Sequence, residues 1–153
     1  MAFMTEQEKR HVILIVDDDA AVVAALARLL DREGYACVGA SNLRDAARCM
    51  SRSGEDLALV ITDLSLAGES GMTLVHHMHR RRPGVPVVVL TAFGDWGTYA
   101  DALGEGVVGF LNKPVSTQDI LAIVRRLVTR DPRHRTSSPG ADSRPGPGKP
   151  ESP

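Results

Sequence analysis

Asp17, Asp18 and Asp19 stand in a row after the apolar run VILIV, and Asp63 follows the run LALVI with only Thr62 between. Thr91 closes a third such run at 85–90, and Lys113 lies just past a fourth at 107–111. If these runs are neighbouring strands, three carboxylates meet in one crevice, where they must protonate, separate or share a cation. A hard divalent ion is the simplest solution, because all-oxygen ligands with open positions suit Mg²⁺ or Mn²⁺ and leave waters that a phosphate oxygen can displace. Lys113 adds a compact positive charge and Thr91 a hydroxyl donor. Such a set suits phosphoryl transfer, which depends on positioning and charge neutralisation, with one carboxylate as the nucleophile.

The elements that must position these groups alternate along the chain. Apolar runs at 12–16, 36–40, 57–61, 85–90 (around Pro86) and 107–111 lack strict polar alternation, as expected of strands covered on both faces of a parallel sheet. Between them lie segments of helical period at 20–33, 43–52, 71–82, 96–103 and 117–130. The first places Val22, Leu26, Leu29 and Leu30 on one face, with Gly34 as a stop. The last has Ser116 and Asp119 spaced as a capping box, and Ile120, Ile123, Val124 and Leu127 as its buried stripe. Five βα units predict an α/β, doubly wound parallel sheet, in which ligands bind beyond the carboxyl ends of the strands.

Composition sets the limits of this unit. The chain has 153 residues, 18 Lys plus Arg against 19 Asp plus Glu, and a net charge of −1, so no long-range field favours nucleic acid or an anionic membrane. Thirteen of the 23 residues at 131–153 are Pro, Gly or Ser, and Ala141 is the one hydrophobic residue there, so that segment is expected to be a disordered tail. A short extension at 1–9 and one domain at 10–130 complete the expected organisation, with no room for an output domain. Two cysteines, Cys37 and Cys49, are too few for a disulfide framework and read as small buried hydrophobes. No run is long enough for a signal peptide or a membrane span, and a cytoplasmic location is expected.

The order VDDD, VITDLSLAGESGM, VVVLTAFGD, GFLNKP resembles the receiver domain of two-component response regulators over essentially the whole ordered unit. The resemblance implies a flavodoxin-like fold, a five-stranded sheet of order 2-1-3-4-5 with five helices. It implies that Asp63 accepts a phosphoryl group from a sensor histidine kinase or a histidine phosphotransfer protein, and that the domain catalyses only its own phosphorylation and dephosphorylation. Asp17 and Asp18 match the acidic metal-binding pair, joined by Asp63 and the backbone carbonyl of Ser65 around Mg²⁺ or Mn²⁺. Thr91 matches the switch hydroxyl, with Ala92 beside it keeping access open. Lys113 matches the phosphate-pairing lysine, and a cis bond to Pro114 would aim it inward. Phe110 occupies the aromatic switch position. The implied outcome is a stand-alone receiver that relays phosphate or binds a downstream effector protein.

One position departs from the family pattern. Ala67 stands where a proline is usual, and without a fixed φ the loop before Gly71 is expected to be looser. Phe93 and Ser65 sit where the family varies to tune hydrolysis. The stretch His76 to Arg82 reads as a solvated helix end. His76 and His79 share a spacing but have no further ligand at zinc distance in sequence.

Three other functions fit less of the chain. A haloacid-dehalogenase-type phosphohydrolase would use Asp17 and Asp19, but no second acidic pair follows Lys113. A flavodoxin-like mononucleotide binder would not place Asp17 to Asp19 against a phosphate. A degenerate receiver that only binds protein would not need every acidic, hydroxyl and lysine position filled.

Overall fold

The computed structural model describes residues 11–92 and 104–128. Five parallel strands form one sheet: β1 (Val12–Val16), β2 (Ala36–Ala40), β3 (Leu57–Asp63), β4 (Val87–Thr91) and β5 (Val107–Asn112). Their order is β2-β1-β3-β4-β5, which puts the topological switch between β1 and β3, the strands that lead to Asp17 and end in Asp63. Four helices are seen among the described residues: α1 (Ala20–Arg32), α2 (Leu43–Ser53), α3 (Gly71–Arg81) and α4 (Thr117–Leu127). The expected helix at 96–103, Phe93, the extension at 1–9 and the tail at 131–153 lie outside the described residues, as do both expected domain limits, 10 and 130.

The apolar strands follow from a sheet with two covered faces. Leu14 and Val16 of β1 join Val60, Val89, Met50 of α2 and Leu74, Val75 and Met78 of α3 in one core. Ile13 and Ile15 point the other way and join Leu59, Ile61, Val88 and Leu90 with Leu26 and Leu30 of α1 and Ile120 and Val124 of α4. At roughly 1.5–3 kcal/mol per fully buried side chain, burial of this all-apolar run holds β1 between the two layers, and the end of the run marks where Asp17 emerges. Each helix starts on a side-chain cap: Asp19 for α1, Asn42 for α2, Ser70 for α3 and Ser116 for α4. Ser116 Oγ accepts from Asp119 N at 3.4 Å, as the capping-box spacing predicts.

The structure moves several expected boundaries. β3 runs two residues past its apolar run, because Thr62 and Asp63 continue the ladders to β1 and β4. β4 starts at Val87 rather than 85, since Pro86 has no N–H to give and serves only as an acceptor for Val60 N at 3.1 Å. α3 stops at Arg81 before Pro83, and α4 stops at Leu127 with Val128 as its cap. Cys37 and Cys49 are free and only half-buried, because Cys37 lies on the edge strand β2 and Cys49 on the flank of α2.

The segment after Asp63 is not the looser loop that Ala67 predicts. Ser65–Leu66 pairs antiparallel with Glu69–Ser70, and the two residues between them, Ala67 and Gly68, have φ of 42° and 89°. Two positive φ values in succession are the signature of a tight type I′ connection. Proline, locked near −65°, could not take the Ala67 conformation. The missing proline therefore accompanies a different turn, not a relaxed one.

Candidate functional site

Every functional side chain is set by a strand end. Asp17 follows β1 and its N–H donates to Ala40 O at 3.0 Å, which ties the turn to β2. Its carboxylate is fully buried, with Oδ1 accepting from Asp19 N at 2.9 Å. Asp18 is exposed beside it. Asp63, the last residue of β3, is 8 % exposed. Its Oδ1 accepts from Ser65 N at 3.2 Å and its Oδ2 from Lys113 Nζ at 2.6 Å. The turn beyond is closed by Gly71, where a Cβ would overlap the Asp63 carbonyl; only glycine lets α3 begin this close to the strand.

Lys113 reaches the crevice from the end of β5. Its N–H donates to Thr91 O at 2.9 Å, and the Lys113–Pro114 bond is cis. Nζ lies 2.6 Å from Asp17 Oδ2 as well as from Asp63 Oδ2. The one ammonium is thus the partner of both buried carboxylates, and among the described residues it is the sole group paired with Asp17 Oδ2. Burial pulls the ammonium pKa down, and the two carboxylates more than offset this, leaving it above the usual lysine value.

One oxygen from each of Asp17, Asp18 and Asp63 falls within 4.8 Å of the others. Three carboxylates against one ammonium leave a formal charge of −2 in a partly buried crevice. A hard divalent cation fits this donor set, because the one ammonium offsets only one of the three negative charges gathered there. Asp19 contributes differently: its Oδ1 accepts from Ala21 N at 3.0 Å as the cap of α1.

Thr91 and Ala92 lie where the sequence puts them, at and just past the end of β4, half-buried and exposed respectively. Phe110 is half-buried against the α2–α3 core. His76 pairs with Glu105 through Nδ1 and Oε2 at 2.8 Å, and His79 lies against Gly106. The metal-capable cluster among the described residues is the aspartate group, and it does not include the histidines. Sequence reasoning missed Asn112, whose Oδ1 accepts from the Thr91 hydroxyl at 3.1 Å. Its signal was its place between two site residues' strand ends, one position before Lys113.

A doubly wound sheet with an acidic crevice and a lysine at its switch point defines a class, and comparison with known proteins names it. Residues 13–125 match the response regulator receiver domain, and the chain belongs to that family. It is 33% identical over 132 residues to the transcriptional regulatory protein GlrR of Escherichia coli, covering 86% of this chain and 28% of GlrR. It is 32% identical over 130 residues to the DNA-binding transcriptional regulator NtrC of a Bradyrhizobium strain, covering 85% of this chain and 26% of that protein. The chain thus spans about a quarter of the length of these relatives. Among solved structures, a response regulator receiver protein from Pseudomonas putida is 32% identical with a TM-score of 0.69, covering 76% of this chain and 97% of that one. A receiver domain from Clostridium thermocellum is 27% identical with a TM-score of 0.72, over 76% and 93%.

Proposed function

We propose that this domain accepts a phosphoryl group on Asp63 from a phosphohistidine on a sensor kinase or phosphotransfer protein. A carboxylate oxygen of Asp63 bonds to phosphorus as the P–N bond breaks, and the imidazole leaves with the electron pair and takes up a proton. Asp17, Asp18, Asp63 and the Ser65 carbonyl would hold Mg²⁺ or Mn²⁺, which supplies charge neutralisation for the incoming phosphoryl oxygens. Lys113 balances the remaining charge, and the Thr91 hydroxyl is the nearby donor for a phosphoryl oxygen. Repacking around Phe110 and α4 would then report the added charge, biasing an existing two-state equilibrium. The domain catalyses only this phosphorylation and its own dephosphorylation, in which water takes the phosphoryl group as inorganic phosphate and the Asp63 carboxylate is restored. Its partners are the phosphohistidine donor and a downstream effector protein, and its location is the cytoplasm; among the described residues no helix is long and apolar enough to cross a membrane.

The observation that carries this reading is the ammonium of Lys113 shared by the Asp17 and Asp63 carboxylates, with Asp18 at their edge. The use of Asp19 as a helix cap removes the second acid that a dehalogenase-type hydrolase would need. Incubation with acetyl phosphate and Mg²⁺ should label the wild type, and Asp63→Asn should reduce labelling by at least about 100-fold. Equal labelling of both proteins rejects Asp63 as the acceptor.

A further inference from the structure

A threonine hydroxyl has one proton to donate, and at Thr91 it is already given to Asn112 Oδ1 at 3.1 Å. The two residues are register partners across the last rung between β4 and β5. The backbone repeats the link, with Lys113 N–H donating to the Thr91 carbonyl. β5 is the outer neighbour of β4, whereas Asp63 ends β3, the inner neighbour. The bond to Asn112 therefore commits the Thr91 proton to the sheet edge, on the side opposite Asp63.

We propose that Asn112 is a positioning residue that holds the Thr91 hydroxyl outward, so that an acyl phosphate on Asp63 must compete with Asn112 for that proton. This rests on the reading of Asp63 as the phosphoacceptor. The chemistry of the side chain suits the task. An apolar residue at 112 would offer no acceptor, a basic one only donors, and an aspartate would add a fourth carboxylate near the crevice; the amide oxygen accepts without charge. Asn112 is exposed, so the bond competes with water and is a bias rather than a lock. Period-two alternation puts Phe110 and Asn112 on the same face of β5, so rotation of Thr91 away from Asn112 and repacking of Phe110 would occur on one face.

Calorimetric titration of the Mg²⁺-loaded protein with beryllofluoride, a phosphoryl mimic, tests this. Asn112→Ala should bind the mimic roughly three- to tenfold more tightly than the wild type, the range of one neutral exposed hydrogen bond. Asn112→Asp keeps the acceptor oxygen and should show no gain. In a Thr91→Val background, the same Asn112→Ala change should alter affinity by about twofold or less, because the proton in dispute is gone. Unchanged or weaker binding by Asn112→Ala overturns the proposal, and so does an equal gain with Thr91 absent. Asp63→Asn separates the two readings. If it binds like the wild type, the phosphoacceptor assignment falls and this inference with it; if it loses binding while Asn112→Ala matches the wild type, only the role of Asn112 is rejected.

Discussion

Two of the polar clusters that join elements distant in sequence among the described residues, the Arg82 clamp and the aspartate–lysine crevice, are finished differently. Past the end of α3, the Arg82 guanidinium donates from one nitrogen to Gly54 O and from the other to Met50 O at 3.3 Å, closing the C-terminal end of α2. Its acceptors are two carbonyls of the helix end that already take backbone N–H groups, Met50 O from Gly54 and Gly54 O from Leu57, so the guanidinium uses their second lone pairs. At the opposite end of the strands, Asp17, Asp63 and Lys113 are held just as closely, yet with Asp18 beside them the site carries excess negative charge. The clamp uses its bonding capacity on the fold. The crevice holds capacity in reserve, at a cost in stability, for a cation and a phosphoryl group.

Breaking each cluster should separate these roles. Lys113→Ala leaves two buried carboxylates facing each other, and without metal the protein should lose about 2–3 kcal/mol in denaturant unfolding, below the full cost for a buried pair because the ammonium is a quarter exposed. Mg²⁺ should still bind and restore much of the loss. A loss that Mg²⁺ does not change would mean that the lysine, not the charge balance, holds the crevice together. Arg82→Ala should cost about 1–2 kcal/mol from two lost part-buried hydrogen bonds of a charged donor, with no change in Mg²⁺ affinity; a shifted affinity would couple two regions that the structure keeps apart. Ala67→Gly relieves the left-handed backbone beside the crevice and should gain about 1 kcal/mol, whereas Ala67→Pro should lose the two-stranded ribbon, seen as lost amide protection at Leu66 and Glu69.

The smallest effect is expected at Cys37, which belongs to neither cluster. Burial first, and the Asp31 carboxylate second, push its thiol up to about 11 from 9.0. Folding therefore favours the protonated thiol, and this contribution to stability is complete below pH 9 and lost as pH rises toward 11. A disulfide reagent should react with Cys37 slowly at neutral pH and faster after urea unfolding. Equal rates in both states would show that the fold does not protect it.

Much of the sheet and the crevice was legible in the sequence because both are local. The runs at 12–16 and 36–40 are the strands themselves, and the residues after each run mark the carboxyl edge. Asp17, Asp63 and Lys113 could be placed together once the strand order was set, since a parallel sheet brings all its carboxyl ends to one side. What escaped depends on partners far along the chain. Asn112 gains a role only through its register with Thr91, and Arg82 only through a helix end 28 residues earlier. The turn at Ala67 was hidden for another reason: alanine does not advertise a positive φ, and the glycine beside it permits many turns.

Gly71 has a mechanical consequence. With no side chain between the start of α3 and the Asp63 carbonyl, the helix abuts the strand end as a strut abuts a beam, with no slack at the joint. Any displacement of that strand end is passed along a rigid rod of about 15 Å. At its far end stand Arg80 and Arg81, exposed to whatever approaches that side of the molecule.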